Sequence, residues 1–405
     1  MKLMLATGTC LANLNHFHAA KQQFERATKF GPAIAMAHNN LGFACYKLGD
    51  FARAEQSLRR AIKLDASLAL ACKNLGHVMQ DSNRWAEAAT CYRRALQLNP
   101  DIPEVLSALV YTLRTLCDWA LLDDYETQLL ARSEHYIAAG HPSPIVPFIA
   151  IFLKLEQKQL YAIVRSQALA ESRLTANITP PTKMTHPNAI HCDFDNGDKL
   201  RIGYLSSAFR SHATSHLAHT LFKLHDKSRY DVYVYAGTAP DLGNAQIQHI
   251  ADSATAFNDL SGMDDPTAAT KINEDQLHLL IDMDGHINNN RQAILRLRPA
   301  PVQVNFLGYP GTIGSDAIDY IIGDAIVTPP EIEPWLQEKP ARLPHCYQFN
   351  NYPALSEAAT PTRAELGLPD DAVIYCCFNI TRKIEPEVFG CWMRILQKTD
   401  KGILW

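Results

Sequence analysis

Seven residues, Gly308-Tyr309-Pro310-Gly311-Thr312-Ile313-Gly314, put three glycines and a proline between two apolar runs, Val302 to Leu307 and Ile318 to Ile322. With few side chains in the way, backbone N–H groups of such a loop can approach a phosphate or a sugar closely. A plain tight turn is the alternative. A second group runs from Ser206 to His216 and carries His212 and His216 four residues apart at a predicted strand-to-helix junction. His212 can act there as acid, base or hydrogen-bond donor near neutral pH, although a lone histidine is more often structural. The same spacing suits zinc on a helix, but no Glu lies between the two as the metalloprotease pattern requires. The third group is Asp282-Met283-Asp284-Gly285-His286. Its carboxylates can hold a cation or face solvent, and His286 is a further candidate. None of the three groups defines a metal site.

These groups need elements to hold them. Leu200 to Ser206, Tyr230 to Tyr235, His278 to Met283, Val302 to Leu307 and Ile318 to Ile322 are short apolar or β-branched runs. His216 to Leu224, Pro266 to Asp275 and Arg291 to Leu297, which lie between them, have helical spacing. Strands alternating with helices predict a mostly parallel sheet covered on both faces. Ligands of such sheets bind beyond the carboxyl ends of the strands, where all three groups fall.

The first third reads differently. Leu41-Gly42 and Leu75-Gly76 are 34 residues apart, and Phe17, Phe51 and Trp85, then Ala20, Ala54 and Ala88, then Ala27, Ala61 and Ala95 keep the same period. That period, with small residues where helices approach closely, is the tetratricopeptide signature. Pro32 and Pro100 mark unit boundaries. Trp119 keeps the phase while Val110 and Leu122 replace the small residues, as in a terminal, capping repeat. Such an array makes a concave groove for extended peptides or partner proteins, or serves only as a spacer or dimerisation element, which leaves a homo-oligomer open. The apolar start, Met1 to Ala12, fits the repeat phase better than a signal segment. Beyond the array, Ile151 to Ala170 has helical spacing, and Thr179 to Asn188 reads as a linker.

At 405 residues the chain can hold two or three cores, and 47% apolar with 20% charged residues is ordinary for a globular protein. A net charge of -4 supplies no general field for nucleic acid. Ten cysteines, among them Cys192 and the adjacent Cys376 and Cys377, form no CxxC pair, which predicts reduced thiols in a cytoplasm. No apolar stretch approaches the ~20 residues of a membrane span.

The repeats, then LRIGYLSSAFRSHATSH from Leu200, LRPAPVQVNFLGYPGTIGSDAIDYIIGD from Leu297 and VIYCCFNITRKIEPEVF from Val373, closely resemble the protein O-GlcNAc transferases, especially bacterial members. The resemblance implies an α plus α/β fold. Tetratricopeptide repeats occupy 1–130, a helical connector and linker 131–198, and a Rossmann-like N-terminal catalytic domain of a GT-B enzyme 199–350. A second Rossmann domain, for the donor, begins at 366–405, and the stop at Trp405 then implies a truncated member. It implies transfer of N-acetylglucosamine from UDP-N-acetylglucosamine to Ser or Thr of proteins threaded along the repeat groove, without cofactor or obligatory metal. Position by position, His212 matches the histidine beside the donor sugar and Thr214 a sugar-pocket residue. Gly308 and Pro310 match backbone contacts to the sugar, and Lys383 matches the lysine on the donor diphosphate. His141 corresponds to another cleft histidine. Ala208 and Ile380 depart from the family, which usually has Asp and Gln there. Relatives that use other nucleotide sugars, and a repeat scaffold whose transferase module no longer catalyses, are the alternatives.

Overall fold

Helix pairs form where the 34-residue period places them. In the computed structural model, which describes residues 1–14, 16–102, 104–187, 197–349 and 361–405, α1 (Lys2–Asn13) precedes α2 (Phe17–Phe30) and α3 (Ala35–Lys47) precedes α4 (Phe51–Leu64). Then come α5 (Ala69–Asp81) with α6 (Trp85–Leu98) and α7 (Val105–Leu116) with α8 (Trp119–Ala138). Asn188, Cys192 and position 350, which figure in the expectations above, lie outside the described residues. The repeated glycines have a steric cause. A Cβ on Gly8, Gly42 or Gly76 would lie 2.5, 2.5 or 2.4 Å from an atom of Phe24, Leu58 or Tyr92. Those three large side chains, themselves 34 residues apart, are at most 1% exposed. The fourth pair breaks the rule: Val110 takes the glycine's place, and Glu126 takes that of the large side chain and pairs with Arg114. The turns follow the same phase, with positive φ at Gly49, Asn83 and Cys117.

The chain divides into two compact units, Met1–Glu134 with Pro361–Trp405, and His135–Thr360. In the second, α9 (Pro147–Ala150) and α10 (Gln157–Thr175) replace the single helix expected over 151–170. Glu156 and Gln159 form a capping box that starts α10 afresh. Then follow β1 (Leu200–Ser206), α11 (Ala213–Ala218), β2 (Tyr230–Ala236), α12 (Ala245–Ser253), β3 (Ala256–Asp259), α13 (Asp265–Glu274), β4 (Leu279–Asp282), α14 (Gln292–Arg296), β5 (Val302–Asn305), β6 (Tyr320–Asp324) and β7 (Lys339–Leu343). All seven strands are parallel, in the order β3-β2-β1-β4-β5-β6-β7. Side chains alternate between two cores: Ile202, Tyr204, Val234, Ile281 and Val304 on one face, Leu205, Tyr235 and Leu280 on the other. The strand order reverses between β1 and β4, which opens a crevice at their carboxyl ends.

The sequence reading missed β3 and β7, the two edge strands. Both are short and polar, and Pro340 is tolerated in β7 because an edge strand leaves one side unpaired. The expected helix over 216–224 is instead α11 followed by a 3-10 turn, Leu221–Leu224.

Back in the first unit, β8 (Val373–Tyr375), a 3-10 turn at Thr381–Lys383, α15 (Pro386–Lys398) and β9 (Gly402–Leu404) make one parallel βαβ element. Among the described residues no helix is long and apolar enough to cross a membrane.

Candidate functional site

At the β1/β4 crevice, two carboxylates expected either to bind a cation or to face solvent do neither. Asp284 accepts the Ser206 hydroxyl and the Ser207 N–H, each at 2.6 Å, and so joins the loop after β1 to the loop after β4. Asp282 accepts the Asp284 and Gly285 N–H groups at 3.0 and 3.1 Å and the Gln292 amide at 2.5 Å. Both are buried, and burial pushes both carboxyls up from the usual range. Among the described residues no three His, Cys, Asp or Glu side chains gather as metal ligands.

The loop after β1 turns at Ala208, which is buried with its N–H on Ser206 Oγ and its carbonyl taken by Ser215 Oγ. His212 is the N-cap of α11, and its Nδ1 accepts the Thr214 N–H at 3.2 Å. A neutral imidazole bonded this way carries its proton on Nε2, a donor on an exposed residue. Partial burial, and then the Arg210 charge, lowers its pKa and favours that neutral form. Thr214 is buried beside it. His216 turns instead to α12, with Nδ1 bonded to the Gln246 amide at 2.7 Å. The two histidines, one helical turn apart, therefore have separate tasks.

The Gly-rich loop between β5 and β6 is held from every side. Gly308 donates its N–H to the Phe306 carbonyl at 3.0 Å around Leu307 at φ 76°, a strained γ-turn. A second three-residue turn closes when Gly311 donates to the Tyr309 carbonyl at 3.0 Å. Buried Glu338 accepts the Thr312 hydroxyl at 2.7 Å and the Ile313 N–H at 2.6 Å, and Gly314 N–H goes to Thr312 Oγ1 at 3.1 Å. This corrects the reading of the loop as a phosphate cradle, because the N–H groups of Gly308, Gly311, Ile313 and Gly314 already have protein acceptors. Among the described residues no hydrogen bond to the Gly308 carbonyl is seen, and Pro310 is exposed.

His286 has a supporting place. It is buried, its Nε2 donates to the Ile313 carbonyl at 3.0 Å, and its ring lies 5.0 Å edge-on from Tyr309. Burial brings its pKa down to about 4, so it is neutral at pH 7. Asn305 Nδ2 donates to the Gly311 carbonyl at 3.1 Å, and Arg165 Nη1 to that of Gly314 at 2.7 Å. Behind the loop is a cavity of about 120 Å³ walled by Tyr161, Leu307, Tyr309, Pro310, Trp335 and Tyr347. Glu338 and Arg165 escaped the sequence reading, since one acid and one base far along the chain form no pattern.

His141 is exposed in the loop after α8, its ring 6.2 Å from Tyr136. No described hydrogen bond joins its side chain to the loops after β1 or β5. Lys383 belongs to the other unit and is exposed on its 3-10 turn.

A parallel sheet whose loops meet at its switch point, preceded by tetratricopeptide helices, defines a Rossmann-like class that binds ligands at that edge, and comparison with known families narrows it. Residues 116–356 and 354–405 match glycosyl transferase family 41, and the chain belongs to that family. Residues 35–68 and 69–102 match tetratricopeptide repeats. The chain is 33% identical over 303 residues to the Probable UDP-N-acetylglucosamine--peptide N-acetylglucosaminyltransferase SEC of Arabidopsis thaliana, covering 73% of this chain and 31% of that protein. It is 26% identical over 403 residues to the UDP-N-acetylglucosamine--peptide N-acetylglucosaminyltransferase of Caenorhabditis elegans, covering 72% and 35%. The chain thus spans about a third of the length of these curated relatives. A solved Thermobaculum terrenum O-GlcNAc transferase mutant shares the fold across 100% of this chain and 67% of its own, with a TM-score of 0.61 at 24% identity.

Proposed function

We propose that this chain works in transferring N-acetylglucosamine from UDP-N-acetylglucosamine to Ser or Thr of proteins, with inversion at the sugar. The observation that supports it most is that an exposed His212, whose Nδ1 bond to Thr214 leaves Nε2 as a donor, and the turn-fixed Gly308-Pro310 loop both follow strands of the sheet at their carboxyl ends. In the reaction the acceptor hydroxyl oxygen bonds to the sugar C1 as the bond from C1 to the diphosphate oxygen breaks. The hydroxyl proton passes to water and UDP departs. His212 and Thr214 would orient the sugar. Lys383 would meet the negative charge that grows on the leaving diphosphate, which stabilises the transition state more than the ground state. That charge is then met without an obligatory metal. Acceptor peptides would be held in the repeat groove, and nine described cysteines, all free thiols, accord with a cytoplasmic setting.

The test is steady-state transfer to a Ser-containing peptide. Lys383→Ala should lower kcat and leave the peptide dissociation constant unchanged, whereas equal losses in both would remove Lys383 from the leaving group. Substituting GDP-fucose or UDP-glucose for the donor discriminates the sugar. One observation favours a second reading, a repeat scaffold with a silent transferase module: position 208 presents only a buried methyl where the family usually has a carboxylate. Capture of the same partners by residues 1–130 and by the whole chain, with no turnover by the latter, would establish that reading.

A further inference from the structure

The turn that carries Lys383 is bound to the last helix pair of the repeat array at points on both sides of the lysine. Thr381 Oγ1 donates to the Thr115 carbonyl at 2.7 Å, and Cys117 Sγ lies 3.7 Å from the Thr381 carbonyl. The Arg382 guanidinium lies 5.1 Å above the Tyr111 ring. Past the lysine, Glu385 Oε1 accepts Arg114 Nη1 at 2.7 Å, and the Phe389 ring is 5.2 Å from Trp119. Arg114 is the centre of this junction. Its side chain is only 4% exposed, and it holds Glu126 of α8 at 2.5 Å through Nε while Nη1 holds Glu385. One planar guanidinium can bridge two carboxylates in fixed directions, which a lysine ammonium on a flexible stem cannot do as rigidly.

The fourth helix pair departs from its predecessors at the position that makes this possible. Glu126 occupies the phase of Phe24, Leu58 and Tyr92, so a charged bridge stands where the other units carry a large ring or aliphatic chain. Burying such a cluster is costly and gives little net stability, so its retention points to geometry rather than to adhesion. Lys383 itself has no described ion pair, and its ammonium projects from a turn whose neighbours are fixed.

We infer that Arg114 is a positioning residue for the Lys383 ammonium, so that the capping repeat forms part of the support of the donor-diphosphate site. This rests on the role proposed for Lys383, and two measurements on the whole chain separate the two ideas. The first is amide hydrogen exchange in Arg114→Lys. The N–H groups of Lys383 and Ile384, which bond to the Ile380 and Thr381 carbonyls at 3.0 and 2.9 Å, should lose protection by about tenfold while α3 to α6 stay unchanged. Unchanged exchange at the turn overturns the inference whatever the activity, and loss across all the repeats would mark Arg114 as merely structural.

The second measurement is a cycle of Arg114→Lys, Lys383→Ala and the double variant, read as kcat and peptide KM. Arg114→Lys should lower kcat roughly tenfold at constant KM, as expected for a slightly misplaced group. In the Lys383→Ala background it should do nothing further, because its effect passes through the missing ammonium. Multiplying losses would overturn the inference. A Lys383→Ala variant as active as the parent would instead end the reading of Lys383, and with it this one.

Discussion

Replacing Gly308 by alanine puts the Gly-rich loop to a steric test. A Cβ built there lies 2.1 Å from the Met283 carbonyl oxygen and 3.0 Å from that of Asp284, both backbone atoms. Met283 cannot yield easily. Its N–H is bonded to the Leu205 carbonyl at 2.9 Å, and the adjacent Asp282 carbonyl accepts the Phe306 N–H at 2.9 Å, so β4 is tied to strands on either side. The loop must move instead, by more than an ångström, which breaks the γ-turn and strains the Thr312 and Ile313 bonds to Glu338. Overpacking of this kind costs about 3 kcal/mol, the upper end of the usual range. At roughly 2 to 4 °C per kcal/mol for a unit of this size, Tm of the unit holding His135–Thr360 should fall by about 6 to 12 °C. Gly311→Ala is the control, since its Cβ would meet only the Tyr309 ring, at 3.2 Å, which can tilt. Its Tm should move by no more than about 3 °C. Calorimetry on both variants reads the difference directly. A Gly308→Ala protein that melts with the parent, or a Gly311→Ala protein that loses as much, would refute the claim that glycine is required here by close backbone approach.

His286 should make the same unit acid-sensitive. Its folded pKa of about 4 lies below the ordinary 6.5, so the unfolded chain takes up the proton first and stability falls as pH drops from 6.5 towards 4. The loss is about 3 kcal/mol in all, at roughly 1.4 kcal/mol per pH unit. His286→Gln keeps a donor for Ile313 and should flatten that part of the curve of urea midpoint against pH; an unchanged slope would exclude His286 as the cause. In the repeats, Gly76→Ala forces a methyl to within 2.4 Å of the Tyr92 ring and should cost about 1 to 3 kcal/mol, read as a lower denaturation midpoint. The double variant Gly76→Ala/Tyr92→Leu should recover part of it, and failure to recover any would show that the ring is not what the glycine accommodates.

The repeat helices were the most legible part of the sequence, because a period of 34 enforces the same sterics at each turn and many positions agree at once. The central strands β1, β4 and β5 were legible for a related reason: strands buried on both faces must be apolar throughout. β3 and β7 were not, since an edge strand needs only one hydrogen-bonded side and no apolar run. At the site, the sequence marked the right segments but not their internal bonding. Nothing in the spacing of Glu338 from Ile313 announces that its carboxylate closes the loop, and nothing in Asp284 announces a bond to Ser206, 78 residues earlier. Long-range polar pairs have no period. Likewise, His286 and His212 look equivalent as letters, and only burial separates a clip inside the loop from an exposed donor.

Three buried carboxylates, Asp282, Asp284 and Asp324, stand at or just past the carboxyl ends of β4 and β6 in the seven-stranded sheet. Rossmann-like sheets that bind nucleotides usually leave main-chain donors free at this edge for phosphate oxygens. Here the acids themselves accept main-chain N–H groups, those of Ser207, Asp284, Gly285, Ile326, Val327 and Tyr347. Those six amides are not open to a phosphate oxygen. The acids thus spend these donors on fixing the loops that follow the strands.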